Sequence, residues 1–181
     1  MVSEPEPEKD PRPNHIVSFF TNLPMVRSVK SQETVGVGVG FSYEYQTKSK
    51  GFGLKLSPTF SRISFDADYW SWNVGVSPRW YLVKKAPGQF GLGLEGSVGT
   101  FFKPENSPNN YQSLLVSGHF ILATHLYSRS NFNGNIEVGL GYEYWKESYS
   151  NSYYQSNSIL EEVSLFSFFL RMSVGGRLSR K

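Results

Sequence analysis

A chain of 181 residues is long enough for one domain and shows no second core; 16% aromatic residues and 17 glycines beside only 18% charged residues point to an aromatic-rich all-β protein. The net charge of +3 is scattered along the chain, which excludes the concentrated basic face of a nucleic-acid binder, and the absence of cysteine excludes disulfides, thiolate metal sites, cysteine nucleophiles and a lipidated cysteine within these residues. No run approaches eighteen apolar residues, so a membrane-spanning helix is excluded, whereas the strands of a transmembrane barrel hide their apolar character in alternation and are not.

Residues 1–14, MVSEPEPEKDPRPN, are proline-rich and acidic, contain no signal-peptide hydrophobic segment, and are expected to form an extended, mobile tail. A less regular first strand follows near residues 15–29. The next stretch, TVGVGVGFSYEYQTK at 34–48, is the clearest in the chain: Val35, Val37, Val39, Phe41, Tyr43 and Tyr45 share one face, and Gly36, Gly38, Gly40, Ser42, Glu44 and Gln46 share the other. The same period of two recurs with Phe52, Leu54, Leu56 and Phe60 opposing Lys55, Ser57 and Ser61. It continues with Trp70, Trp72, Val76 and Trp80 opposing Ser71, Gly75, Ser77 and Arg79, and with Phe90, Leu94 and Val98 opposing Gly91, Glu95 and Gly99. Three further segments place Phe120, Leu122 and Leu126 against His119, Ala123 and His125; Ile136, Val138, Leu140 and Tyr142 against Glu137, Gly139 and Glu143; and Phe166, Phe168, Met172 and Val174 against Ser167, Arg171, Ser173 and Arg177. The total is eight strands.

Eight strands of this length suit a soluble calyx or an outer-membrane barrel. About forty large apolar side chains cannot enter an eight-stranded lumen, which ordinary side chains only just fill. The small residues therefore line the lumen and the large ones form a lipid-facing belt, which predicts an all-β fold: an eight-stranded antiparallel up-and-down transmembrane β-barrel over residues 15–181. Connection lengths fit this. With both termini in the periplasm, tight polar turns fall at 47–50, 84–89 and 128–131, and the polar runs KPENSPNNYQ from Lys103 and KESYSNSYYQSNS from Lys146 become surface loops.

The inward face carries four acids, Glu44, Glu95, Glu137 and Glu143, and four bases, Lys55, Arg79, Arg171 and Arg177, joined by His119 and His125. Charges enclosed by a lipid-surrounded barrel must pair or meet water, so a lumenal polar plug is expected, with a gated ion path as its sharper alternative. Counting along the strands places Glu95, Glu137, His119 and Arg171 near mid-barrel, and Glu44, Lys55, Arg79 and Arg177 lower. His119 and His125 point away from a substrate in the outer leaflet, so no catalytic residue is assigned, and no metal or cofactor site is expected. GLGLEG at 91–96 matches a dinucleotide fingerprint literally but continues as a strand instead of opening a helix. Tyr69, Trp70 and Trp72, and Tyr142, Tyr144 and Trp145, are read as interfacial anchors. Tyr149, Tyr153 and Tyr154, in the Tyr- and Ser-rich segment, are the candidate interaction residues.

The run VGVSPRWYLVKKAPGQFGLGLEGSVG, residues 74–99, resembles the small outer-membrane β-barrel proteins common in Bacteroidota, in which a Pro-Arg-aromatic-Tyr-Leu strand end precedes a tight turn and a glycine-alternating strand. NHIVSFFTNLPM, residues 14–25, is similar to the first strand of that group. The resemblance implies a bacterial outer-membrane location and supplies no catalytic residues, while the LSRK ending departs from the aromatic terminus common in such barrels. The expected role is structural or interactive, such as an accessory subunit of a membrane complex, with outer-membrane lipid, lipopolysaccharide and other outer-membrane proteins as partners. A lipid-modifying enzyme and a narrow pore are the alternatives.

Overall fold

The computed structural model describes residues 15–29, 32–47, 49, 51–64, 68–82, 88–102, 111–127, 132–151 and 156–178. Eight strands follow in chain order: β1 (His15–Val29), β2 (Gln32–Gln46), β3 (Phe52–Ser64), β4 (Asp68–Tyr81), β5 (Gly88–Phe101), β6 (Tyr111–Tyr127), β7 (Phe132–Asn151) and β8 (Ser156–Arg177). Each pairs antiparallel with its sequence neighbour, and β8 returns to β1 to close the barrel. Closure satisfies every strand edge over the shared height, the condition for a sheet to sit in hydrocarbon. The GLGLEG run lies wholly within β5.

Exposure settles which face looks where. Phe41 is 63% exposed and Leu94 53%, whereas Lys55 and Arg79 are each 1% exposed and Glu137 0%. A water-soluble fold would invert this ordering, because burying charge while presenting rings to water is doubly unfavourable. Along β4 the exposed Trp70 and Trp80 are ten residues apart. At about 3.3 Å per residue and a tilt of about 40° they stand about 25 Å apart along the axis, the height of an outer-membrane-type apolar band. Replacing Leu94, which faces outward at the middle of β5 opposite Phe120, by arginine is expected to cost about 2–4 kcal/mol in lipid, measured by urea unfolding in bilayers.

Three prolines interrupt the ladder where their missing N–H requires it, and at one of them, Pro78, the β4–β5 pairing passes from Val76 with Gly96 directly to Arg79 with Gly93. In β1 the register slips between Asn22 and Met25, a bulge that accommodates Leu23 and Pro24. Between β2 and β3 the pairing passes from Gly40 with Thr59 directly to Tyr43 with Leu56, omitting the Pro58 rung and the next.

Strands β7 and β8 are longer than expected. Lys146–Asn151 belongs to β7 and Ser156–Ser158 to β8, so the segment read as a long loop is largely a hairpin rising beyond its neighbours, and the connection shrinks to residues 152–155. Polar strands beyond the apolar belt have no apolar side to reveal a period, which is why the pattern missed them. Likewise Tyr111 and Gln112, read as loop, open β6. The predicted tail at residues 1–14 lies outside the described residues, as do most of the turns at 47–50, 84–89 and 128–131.

Candidate functional site

The lumen is filled in three layers, beginning at the end that carries the termini. In the lowest, Gln46 Nε2 lies 2.9 Å from Glu44 Oε1, 3.0 Å from the Tyr127 hydroxyl and 3.2 Å from Gln89 Oε1. Tyr127 donates to Gln89 at 2.6 Å, and Tyr81 donates to Glu44. His125 Nε2 sits 3.7 Å from Glu44 Oε2 and 3.4 Å from the Tyr81 hydroxyl, its ring stacked on Tyr127.

The middle layer is built on Glu137, held inward by the alternation of β7 between Gly139 and Asn135. Its Oε1 accepts Lys55 Nζ at 2.5 Å, one Arg79 nitrogen at 2.9 Å and the Asn135 amide; its Oε2 accepts the other Arg79 nitrogen at 2.9 Å and Arg171 at 3.1 Å. Arg171 also grips Glu95 with two bonds of 2.8 Å and donates Nε to Asn22 at 2.9 Å. Two-pronged guanidinium–carboxylate pairs combine charge with fixed geometry. The Arg171 guanidinium lies 4.7 Å from the ring centres of both Phe20 and Phe169.

Above it, His119 Nε2 is 2.5 Å from Ser167 Oγ and 3.8 Å from Glu143 Oε1, while Trp145 donates its indole N–H to Glu143 at 3.3 Å. A cavity of ≈ 20 Å³, with space for about one water, opens among Asn22, Thr59, Asn73, Glu95, His119 and Glu143. His, Ser and Glu together invite comparison with a hydrolytic triad. Here, however, Ser167 and Glu143 approach the same ring nitrogen, whereas a triad places the carboxylate on the opposite one, and Ser167 is 1% exposed.

The structure therefore brings Glu44, Lys55, Arg79, Glu95, His119, His125, Glu137, Glu143 and Arg171 together inside the barrel, all of them buried. Arg177 closes β8 opposite Ile16, its side chain outside the described set. Lys55 and Arg79 were expected below mid-barrel with Glu44, yet they converge on Glu137: strand tilt offsets the height of equally numbered positions, and long stems cover the remainder. Tyr149 lies in β7 opposite Tyr111 and Ser158, with its side chain undescribed, and Tyr153 and Tyr154 fall outside the described residues.

The view that only small and polar residues line the lumen needs correction. Phe20, Tyr81, Phe101, Leu115, Ile121, Tyr127, Trp145, Leu165 and Phe169 are buried as well. Trp145, read as an interfacial anchor, packs against Phe101 with ring centres 5.1 Å apart. Phase would have found them, because each occupies an inward position of its strand: Phe169 lies between Ser167 and Arg171, and Phe20 between Ser18 and Asn22. Glycines make the room. A Cβ on Gly139 would overlap the Phe169 ring, and one on Gly40 would overlap Phe20.

No protein-family model and no curated protein matches the chain. Among solved structures, Neisserial surface protein A (NspA) aligns with a TM-score of 0.56 at 13% identity, covering 91% of this chain and 97% of its own. The outer membrane protein OprG from Pseudomonas aeruginosa aligns with a TM-score of 0.57 at 12% identity, with the same coverages. At that identity the likeness concerns architecture, and the architecture is an eight-stranded antiparallel transmembrane β-barrel of the kind found in outer membranes.

Proposed function

We propose that this chain resides in a bacterial outer membrane with both termini in the periplasm, as a small Bacteroidota-type barrel whose sealed lumen makes it a structural or interaction protein, such as an accessory subunit of a membrane complex. The observation that carries this reading is the middle layer. Glu137 and Glu95 are shared among Lys55, Arg79 and Arg171 across the full width of the barrel, and the two phenylalanines flanking Arg171 occupy the space beside them. Such a cross-brace supplies rigidity and fills this level of the lumen with paired charge and rings, an arrangement that opposes ion passage. Partners then meet the barrel at its lipid-facing wall or at the raised β6–β7–β8 rim.

Two measurements test it. In planar bilayers the purified protein is expected to show no unitary conductance steps, and steps whose size changes when Glu137 or Arg171 is replaced would favour the pore instead. Extraction of the native membrane in mild detergent is expected to bring out a stable companion. A consistently lone monomer counts against the accessory-subunit role.

A further inference from the structure

The barrel closes over less height than its last strands reach. β1 turns into β2 across the Val29–Gln32 pair, and its ladder with β8 stops at Ser28 with Phe166. β8 rises further, paired to β7 as far as Asn151 with Ser156. Ser156–Leu165 therefore has β7 on one side and, among the described residues, no strand on the other, which leaves about 30 Å of sheet edge at about 3.3 Å per residue. The opposite margin of the raised sheet is short, since Phe101 at the end of β5 still donates its N–H to Ser113 Oγ and only Tyr111 and Gln112 of β6 stand beyond. The β8 edge lies past the ring pair of Tyr142 and Phe166, in water, where an open edge is tolerated.

An open edge presents the N–H and C=O groups that a further strand uses, and little blunts them here. Neither proline nor lysine occurs from Ser156 to Leu165. A single bulge, which skips Leu160 between the pairs Glu147–Glu161 and Ser148–Ile159, divides the edge into residues 156–159 and 161–165. Either run is long enough for a short strand.

Symmetry and charge say what covers it. A two-fold axis normal to the sheet would pair β8 antiparallel with its own copy, but it inverts the second barrel and carries that apolar belt out of the membrane. A two-fold axis along the membrane normal keeps both barrels upright, yet it crosses two strands, each tilted by about 40°, at about twice that angle, too wide for a ladder. A second copy does not fit. Glu162 stands opposite Lys146 and Glu161 opposite Glu147, three acids to one base at this level, and no base follows on β8 before Arg171. Opposite charges across a strand pair are favourable, so a strand carrying lysine or arginine suits this edge.

We propose that the raised edge of β8 receives an extended basic segment of a partner protein, added as a further antiparallel strand. The proposal rests on the interaction-protein reading and gives that partner an edge and a chemistry.

The probe is a short peptide of alternating lysine and threonine, N-methylated at the threonines so that one edge can pair and peptides cannot stack on each other. Its binding to the refolded protein in a neutral detergent is read by fluorescence anisotropy and is expected to saturate at one peptide per barrel. Methylating every residue keeps the charge and removes the remaining N–H groups, and is expected to weaken binding about tenfold, as is exchanging lysine for glutamate. Glu161→Lys combined with Glu162→Lys should reverse that charge preference. Joining Trp145 to Val163, a pair already in register, through a two-residue Asn-Gly turn removes most of the edge and should abolish binding, with heat-modifiable gel mobility reporting an intact barrel. Failure of the half-methylated peptide to bind, binding that survives full methylation or the shortened hairpin, or an unchanged preference in the double variant overturns the site. A wild-type dimer that the shortened hairpin abolishes overturns the choice of occupant. Extraction from the native membrane tests the underlying reading separately: a companion that the shortened-hairpin protein retains defeats only the edge, whereas a lone monomer that still binds the peptide defeats only the accessory-subunit role.

Discussion

Replacing Glu137 by alanine is expected to destabilise the barrel by about 3–5 kcal/mol, the cost of leaving buried charge without its partner. Glu137 is 0% exposed and receives Lys55, Arg79 and Arg171 together. Without it, three cations crowd one level of the lumen, and Glu95, already held on both oxygens by Arg171, cannot serve all three. Urea unfolding in lipid vesicles, followed by tryptophan fluorescence and gel mobility, measures the loss. Glutamine at the same position keeps the hydrogen-bonding shape and removes the charge, so it should fall between wild type and alanine. An alanine variant within about 1 kcal/mol of wild type, the scale of an ordinary surface change, would mean that the cluster does not brace the barrel.

Phe169→Ala is expected to cost a comparable amount, about 3–5 kcal/mol, by a different route. Phe169 is 2% exposed, packs with Ile121 and Ala123, meets the His119 ring at 5.1 Å and covers one face of the Arg171 guanidinium. Its removal leaves a void inside a closed wall, where lipid cannot follow. Phe166, three residues earlier on β8 and 47% exposed, provides the contrast: acyl chains close over the space that alanine vacates there, so the loss should be much smaller. Equal losses at the two positions would contradict the inward placement of Phe169. A second substitution, Gly139→Ala, would clash with the Phe169 ring in the wild type and be relieved in the Phe169→Ala background.

The fold was legible because alternation at a period of two is a direct image of a wall with two solvents. Val37, Phe41 and Tyr43 against Gly38, Ser42 and Glu44 state both the strand and its sides, and the volume of an eight-stranded lumen decides which side is which. The membership of the charged cluster was legible for the same reason. Its layering was not: Lys55 and Glu137 stand 82 residues apart, and their meeting depends on tilt and stem length, neither of which a linear count contains. The inward rings were hidden by an assumption about size, although Phe20 and Trp145 declare their side by position. The upper parts of β7 and β8 left no trace, since KESYSN has no apolar partner against which to alternate.

The Asn22–Arg171 bond joins residues 149 apart, and the same arginine holds Glu95 from β5 and Glu137 from β7. Hence the eighth strand of the barrel, made after the other seven, carries the cation that knits first, fifth and seventh strands together. A chain halted before β8 would hold Glu95 without its chief counter-charge and two strands without edge partners, a state that hydrocarbon rejects. Insertion and circularisation should therefore proceed as one late, cooperative event, with its slow kinetics written into the distance between the two ends.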